Sequence, residues 1–280
     1  MAARPRRSAL YLPASNARAI VKARNLACDV VILDLEDAVA PDSKGQAREA
    51  AVAAVREGGF GPRELVVRVN ALATDWGADD CAALRAVAPD AVLIPKVDDG
   101  AGVAAYAERL GATPLWAMVE TARTMLRLES LASAPGLAAL VLGTNDLAKE
   151  LGVKPGADRL PFHGLLAQAV AAARAYGLAA LDGVFNAIDD RAGLAAECAQ
   201  AVRFGFDGKT LIHPDQIEPC NAAFAPTPDE IAWAEAIERG FAAPAATGKG
   251  AIRVDGQMVE RLHLDQARRT LAIGRAGEGA

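Results

Sequence analysis

The 280-residue chain has no apolar run long enough to cross a membrane, no surplus of positive charge and no closely spaced pair of cysteines. Each absence closes a class of function. A membrane helix needs about 20 consecutive apolar residues. The apolar stretch after the basic start, Met1 to Arg7, is broken at Pro13, too soon for a signal peptide. Acidic residues appear by Asp29 and no Arg/Ser-rich amphipathic segment comes first, which argues against an organelle presequence, so a cytoplasmic protein is expected. A net charge of −5, with 23% charged residues, gives no field for gripping nucleic acid or an anionic membrane surface, and neither is expected as a partner. Cys28, Cys81, Cys198 and Cys220 lie too far apart for a zinc site or a disulfide framework and read as reduced core or surface thiols.

What the chain does have is apolar residue, 52% of it, enough for a large core. Short apolar runs recur between alanine-rich helical stretches, the alternation of a parallel α/β fold. The runs that read as strands are Ser8–Leu12, Val30–Leu35, Leu65–Val69, Ala91–Ile94, Leu115–Val119, Ala139–Leu142, Ala179–Leu181 and Lys209–Ile212. Eight such strands close a TIM (β/α)8 barrel. Helices are expected at Asn16–Ala27, Lys44–Glu57, Asp79–Val87, Ala101–Leu110, His163–Tyr176 and Asp190–Phe204, with Gly177 and Gly205 placed to stop the last two. The pattern changes at Ala225-Pro226-Thr227-Pro228-Asp229, which reads as a linker. Beyond it come a helix from about Glu230, an Ala/Gly-rich stretch, an extended segment or hairpin from Ala251 to Met258 and a last helix from about Glu260. The expected division is therefore a barrel over residues 1–225 and a C-terminal helical arm over 226–280.

Reactive groups of such barrels stand at the C-terminal ends of strands and in the loops that follow. The polar residues here obey that rule repeatedly. Strand two ends in Asp34-Leu35-Glu36-Asp37, strand three in Arg68-Val69-Asn70, strand four in Pro95-Lys96, strand five in Glu120 and strand six in Asn145-Asp146. Carboxylate oxygens such as those of Glu120 and Asp146, at the same end of successive parallel strands, suit a hard divalent cation that keeps other positions for water and substrate. Magnesium is expected, with manganese the alternative. Lys96 reads as an ion-pair partner of the carboxylates rather than a nucleophile, and Asp34 as a cap of its loop as readily as a site residue. His213 reads as orienting the loop after strand eight, and His163 and His263 as structural or exposed. Arg18 and Lys22 on the first helix form a solvated face or meet an anionic ligand at the mouth.

These residues carry a resemblance to the citrate lyase β-subunit-like acyl-CoA lyases of the HpcH/HpaI aldolase/citrate lyase superfamily. It rests on Arg7-Ser8 with Pro13, Asp34 to Val39, Lys44 with Ala47-Arg48, Arg68-Val69-Asn70, Pro95-Lys96-Val97, Glu120-Thr121-Ala122-Arg123, Gly143 with Asp146-Leu147, and Gly208-Lys209 with Ile212-His213-Pro214. The resemblance implies that Glu120 and Asp146 hold magnesium, that Arg68 lies on the substrate, and that coenzyme A is part of that substrate. It also implies a homotrimer or hexamer in which the arm of one subunit reaches a neighbour's site. The expected reaction is cleavage between C2 and C3 of a 3-hydroxyacyl-CoA such as malyl-, methylmalyl- or citramalyl-CoA, or of a citryl thioester. Its products are a 2-oxo acid and an acyl-CoA.

Arg68 then steadies negative charge as it moves, and Glu36 and Asp37 hold waters around the cation or tune the site. Arg18, Lys22 and Lys96 are the expected substrate contacts. Many relatives place an aspartate on the arm after Met-Val or Met-Ile; here Met258-Val259 is followed by Glu260, the expected proton donor, longer by one methylene. Thr124 stands where relatives usually have glycine, which bears on acyl-group size. The competing readings are a malyl-CoA thioesterase, a CoA-independent pyruvate-enolate aldolase, a Schiff-base aldolase on Lys96 and a non-catalytic subunit of a lyase complex. The pyruvate-enolate branch carries a histidine base after strand two, and this chain has none before His163.

Overall fold

A computed structural model describes residues 4–243 and 246–278. Eight strands, β1 (Ser8–Pro13), β2 (Val30–Asp34), β3 (Glu64–Arg68), β4 (Ala91–Ile94), β5 (Leu115–Val119), β6 (Leu137–Leu142), β7 (Ala179–Asp182) and β8 (Gly208–Leu211), pair in parallel and in sequence order, β8 closing on β1. The expected TIM-type α/β barrel is present. Around it run α1 (Ala17–Ala23), α2 (Lys44–Glu57), α3 (Gly77–Arg85), α4 (Gly100–Leu110), the short pair α5 (Ala122–Leu126) and α6 (Leu128–Ala132), α7 (Thr144–Leu151), α8 (His163–Ala175), α9 (Arg191–Phe204) and α10 (Ile217–Phe224). The strand ends and most helices match the sequence reading to within two residues. The first helix does not: it stops at Ala23, four residues short of the expected end. Sequence reading also passed over α5, α6, α7 and α10. The first two of these span five residues each, too short to show an apolar period.

Strand alternation sorts the core into two layers. Ala9, Val30, Ile32, Val66, Leu93, Trp116, Met118, Val141 and Leu181 fill the barrel interior. Their neighbours Leu10, Val31, Leu33, Val67, Ile94, Ala117 and Leu140 face the helices. Continuing the inward rows to the C-terminal ends of the strands brings Asp34 after Ile32, Arg68 after Val66 and Glu120 after Met118. The barrel therefore delivers these charges to its mouth. At the opposite end Arg6 lies over the Trp116 ring, 4.9 Å from its centroid, and makes a bidentate pair with Glu64.

One charged group lies in the outer layer. Lys209 and Asp182 are 0% exposed, partners in the β7–β8 register, and bonded at 2.9 Å. Arg159 donates to both Asp182 oxygens, and Lys209 also reaches Glu197 and the Gly183 carbonyl. Two cations meet two anions, which makes the burial tolerable. All four cysteines are free and buried, so they are core rather than surface thiols.

Chain contacts separate residues Arg6–Phe224 from a second compact unit that begins at Ala225 and, among the described residues, also includes Arg4 and Pro5. In this second unit, α11 (Pro228–Ala242) starts two residues before the expected Glu230. Thr227 and Glu230 cap it reciprocally, and Pro228 occupies its first turn. The hairpin β9 (Ala251–Val254) and β10 (Gln257–Glu260) turns at Asp255-Gly256, both with positive φ. The last helix, α12 (Arg261–Glu278), follows directly. Ala234, Ile237, Val254, Val259, Leu264, Ala267 and Leu271 give this unit its own small core. Among the described residues no helix is long and apolar enough to cross a membrane.

Candidate active site

Parallel register sets Asp34 opposite Arg68. The Arg68 guanidinium donates Nε and Nη2 to the two Asp34 oxygens, each at 2.7 Å, so its plane is fixed. Its Cζ lies over the Tyr11 ring, 4.9 Å from the centroid. Nη1 stands 3.0 Å from Glu36 Oε2 and 3.5 Å from Asp37 Oδ2. Asp34 also accepts the backbone N–H groups of Glu36 and Ala38. Thus it does both jobs between which the sequence left a choice: it caps the loop and it locks the arginine. Burial alone would raise its pKa, but the Arg68 bonds and charge prevail and hold the carboxyl below its ordinary value. Lys44, buried, donates to the Leu35 and Glu36 carbonyls and pins the same loop from beneath.

Glu36 is 8% exposed, and its Oε2 has no hydrogen-bond partner despite the nearby guanidinium. Burial pushes this carboxyl up to about 8; Arg68 opposes the shift, while Glu120, Asp37 and Asp34 add to it. Asp37 is mostly exposed at the rim.

The second cluster lies on the next strands. Glu120 is 1% exposed. Its Oε1 accepts the Lys96 backbone N–H at 2.8 Å, a direction available because Lys96 takes φ +51°, in the left-handed region. Its Oε2 is buried without a hydrogen-bond partner. Asp146 sits in the first turn of α7, where the positive helix end favours an acid, and its side chain is partly open to solvent. The Lys96 ammonium lies 2.9 Å from Asp146 and 3.4 Å from Glu120. This is the ion-pair role expected of Lys96. Burial works against its charge, but Glu120 and Asp146 outweigh burial and raise its pKa. Glu120 is shifted upward by burial, which outweighs the pull of Lys96.

These contacts bear on whether a divalent cation fits. A cationic nitrogen already bridges the two carboxylates, and one oxygen of Glu120 is desolvated with no donor in reach. Gly143 leaves the room Glu120 needs: a Cβ there would lie 2.4 Å from Glu120 Cβ and 2.9 Å from its Oε2. Among the described residues no three or more His, Cys, Asp or Glu side chains are grouped so as to hold a metal ion by themselves. Two carboxylates with open positions suit magnesium, which keeps waters and binds substrate oxygens. The donor set fits.

The structure thus brings together Arg68, Glu36 and Asp37 in one cluster and Lys96, Glu120 and Asp146 in another, with Tyr11 and Asp34 completing the first. Two of the strand-end amides turn elsewhere. Asn70 donates to Asp80 on α3, and Asn145 exchanges bonds with Asn186. Arg18 and Lys22 are exposed on α1, whose end is capped by the Asn16 side chain. Glu260 ends β10 in the C-terminal unit, exposed, its N–H donating to His263 Nδ1. His213 caps the turn after β8, the orienting role expected of it. Thr124 is 0% exposed, and its hydroxyl donates to the Val97 carbonyl. Sequence reasoning missed Tyr11, and it quoted Gly143 as part of the resemblance without reading the room it gives Glu120. Tyr11 was within reach, since it follows Ala9 in the inward row of β1.

The HpcH/HpaI aldolase/citrate lyase family model matches residues 7–214. A (3S)-malyl-CoA thioesterase of Cereibacter sphaeroides is 48% identical over 98% of this chain and 96% of its own length. The mitochondrial citramalyl-CoA lyase of Homo sapiens is 31% identical over 96% of this chain and 85% of its own. Among solved structures, protein CitE of Mycobacterium tuberculosis in complex with magnesium, acetoacetate and coenzyme A is 34% identical. It matches with a TM-score of 0.78 over 98% of this chain and 99% of that one.

Proposed function

The chain belongs to the HpcH/HpaI aldolase/citrate lyase family, and on that premise we propose a magnesium-dependent enzyme that hydrolyses the coenzyme A thioester of a small 3-hydroxy acid of the malyl-CoA class. The observation that carries the reading is the 48% identity to (3S)-malyl-CoA thioesterase over 98% of the chain. Water adds to the thioester carbonyl carbon, the C–S bond breaks, the free acid forms and the sulfur leaves as the protonated thiol.

In this reading Glu120 and Asp146 hold the cation, magnesium or in its place manganese, and Lys96 yields the space between them while keeping its backbone bond to Glu120. Magnesium, when bound, supplies a positive centre that gathers a carboxylate and its neighbouring hydroxyl and draws off the charge growing on oxygen. Arg68, its plane set by Asp34, offers its remaining N–H groups to the substrate carboxylate. Glu36 and Asp37 line the same mouth and hold water there. Arg18 and Lys22, exposed on the helix that follows β1, meet the phosphates of coenzyme A.

A second reading, carbon–carbon cleavage, is favoured by the 31% identity to citramalyl-CoA lyase. There the C2–C3 bond breaks, the 3-hydroxyl gives its proton to water at the mouth as the 2-oxo acid forms, and the enolate carbon of the acyl-CoA takes a proton from Glu260, which is then reprotonated from water. The proposed assembly for either reaction is a homotrimer or hexamer.

The deciding assay gives purified protein malyl-CoA with and without magnesium and follows free thiol and 2-oxo acid separately. Hydrolysis releases thiol and malate with no oxo acid. Cleavage releases glyoxylate and acetyl-CoA in equal amounts with no thiol, and should then fail in Glu260→Gln. Turnover of none of malyl-, methylmalyl- and citramalyl-CoA in the presence of magnesium would overturn both.

A further inference from the structure

Lys96 is one of four non-glycine residues with positive φ among those described. Its backbone is the means by which Glu120 is aimed. A side-chain-bearing residue in the left-handed region is strained and persists only where its surroundings enforce it. What enforces it here comes from the first turn of α5. The Thr124 hydroxyl donates to the Val97 carbonyl at 2.6 Å, in a fully buried position. The Thr121 hydroxyl donates to Asp98 Oδ1 at 2.8 Å and accepts the Thr124 N–H at 3.0 Å, with the two hydroxyl oxygens 2.8 Å apart. Val97 itself is 3% exposed. The two residues after Lys96 are therefore tied to one helix turn, one of them through a buried bond.

We propose that Thr124 is a positioning residue for the Glu120 carboxylate: through the Val97 carbonyl it holds the turn at Lys96 that directs the Lys96 N–H to Glu120 Oε1. The inference deepens the reading of Glu120 as a cation ligand and rests on it. The Thr124 side chain is turned into the protein and bonded there, so its effect passes along the backbone to the carboxylate.

The test uses Thr124→Val, which keeps the shape and removes the donor, and Thr124→Ser, which restores it. Two quantities are read: amide hydrogen exchange at Lys96 in magnesium-free protein, and magnesium affinity by calorimetry. Loss of one buried hydrogen bond corresponds to a change of about tenfold. Thr124→Val should speed exchange at Lys96 by about that factor while the strand amides of Leu93 and Trp116 stay as in the wild type, and should weaken magnesium by a similar factor. Thr124→Ser should return both to near the wild-type values. Unchanged exchange at Lys96 in Thr124→Val overturns the proposal, and so does equal acceleration at Lys96, Leu93 and Trp116, which marks a purely structural role. Failure of the wild type to bind magnesium removes the reading of Glu120 as a ligand, whereas exchange at Lys96 still decides whether Thr124 sets the turn.

Discussion

Gly143→Ala adds a single methyl group and should separate the stability of this protein from its activity. The backbone itself can accept alanine, since Gly143 has φ −101°, an ordinary value for any residue. Losing glycine's freedom in the unfolded chain would by itself stabilise by roughly 0.4–1 kcal/mol. The space is the difficulty. The new Cβ would sit 2.4 Å from Glu120 Cβ, 2.9 Å from Glu120 Oε2 and 3.1 Å from Met118 Cε. Carbon atoms rest about 3.5–4.0 Å apart, so Glu120 must retreat by roughly 1 Å or more. Overpacking of this kind costs roughly 1–3 kcal/mol, which leaves a modest net loss and a melting temperature lower by a few degrees. With Glu120 holding the cation as proposed, displacing its carboxylate by that distance costs about a hundredfold or more in rate. The expected result is a variant that melts within a few degrees of the wild type, binds magnesium weakly by calorimetry and turns over malyl-CoA at about one hundredth of the rate or less. Wild-type magnesium affinity and turnover in Gly143→Ala would refute the claim that this glycine makes room for a catalytic carboxylate.

Glu120→Gln and Asp146→Asn should each weaken magnesium binding and abolish turnover while leaving the far-ultraviolet circular dichroism unchanged; unaltered affinity in both would remove the metal assignment. Arg68→Lys should lose most activity although charge is kept, because one ammonium cannot make the paired bonds to Asp34 and still present a fixed donor to substrate. A fully active Arg68→Lys would leave Arg68 a structural part alone. Lys209→Met breaks the buried four-charge group and should cost roughly 3–5 kcal/mol, a fall in melting temperature of roughly 6–12 °C. Its pH dependence has a defined sign. Burial would raise the Asp182 carboxyl, but Lys209 and Arg159 outweigh burial and hold it below its ordinary value. Its stabilisation is thus present above the unfolded value of about 3.9 and is lost as pH falls through the folded value. The gap in melting temperature between wild type and Lys209→Met should therefore narrow below about pH 4. A gap that widened in acid would show that the carboxylate is not what Lys209 stabilises.

Period-two alternation made much of the barrel and its mouth legible. Once Val30-Val31-Ile32-Leu33 is a strand, Asp34 and Ile32 must share a face, and the same count carries Val66 to Arg68 and Met118 to Glu120. Runs of four to six residues with glycine after the helices fixed the strands to within two residues. The helix that sequence reading lengthened, α1, is amphipathic beyond its real end, and periodicity cannot show where a chain leaves a helix. The helices that were missed, α5 and α6 above all, are too short to carry a period.

The site was legible where a charged side chain itself does the work and illegible where its neighbours aim it. Glu120 announces itself as an acid after an apolar run. That its Oε1 is held by a backbone N–H depends on a left-handed Lys96, and nothing in Pro95-Lys96-Val97 advertises a positive φ, since lysine rarely adopts one. Gly143 signals freedom of conformation to a sequence reader, whereas its use here is the absence of a Cβ beside Glu120. Asp34 offered two readings because a lone sequence cannot say how many partners one carboxylate serves; in the fold it accepts two backbone N–H groups and two from Arg68. Thr124 drew attention as a departure bearing on acyl-group size, yet its hydroxyl is used up on Val97. In each case the missing information is a direction, set by register and backbone torsion rather than by residue type; Lys96 and Glu120, 24 positions apart in the chain, meet only in the fold.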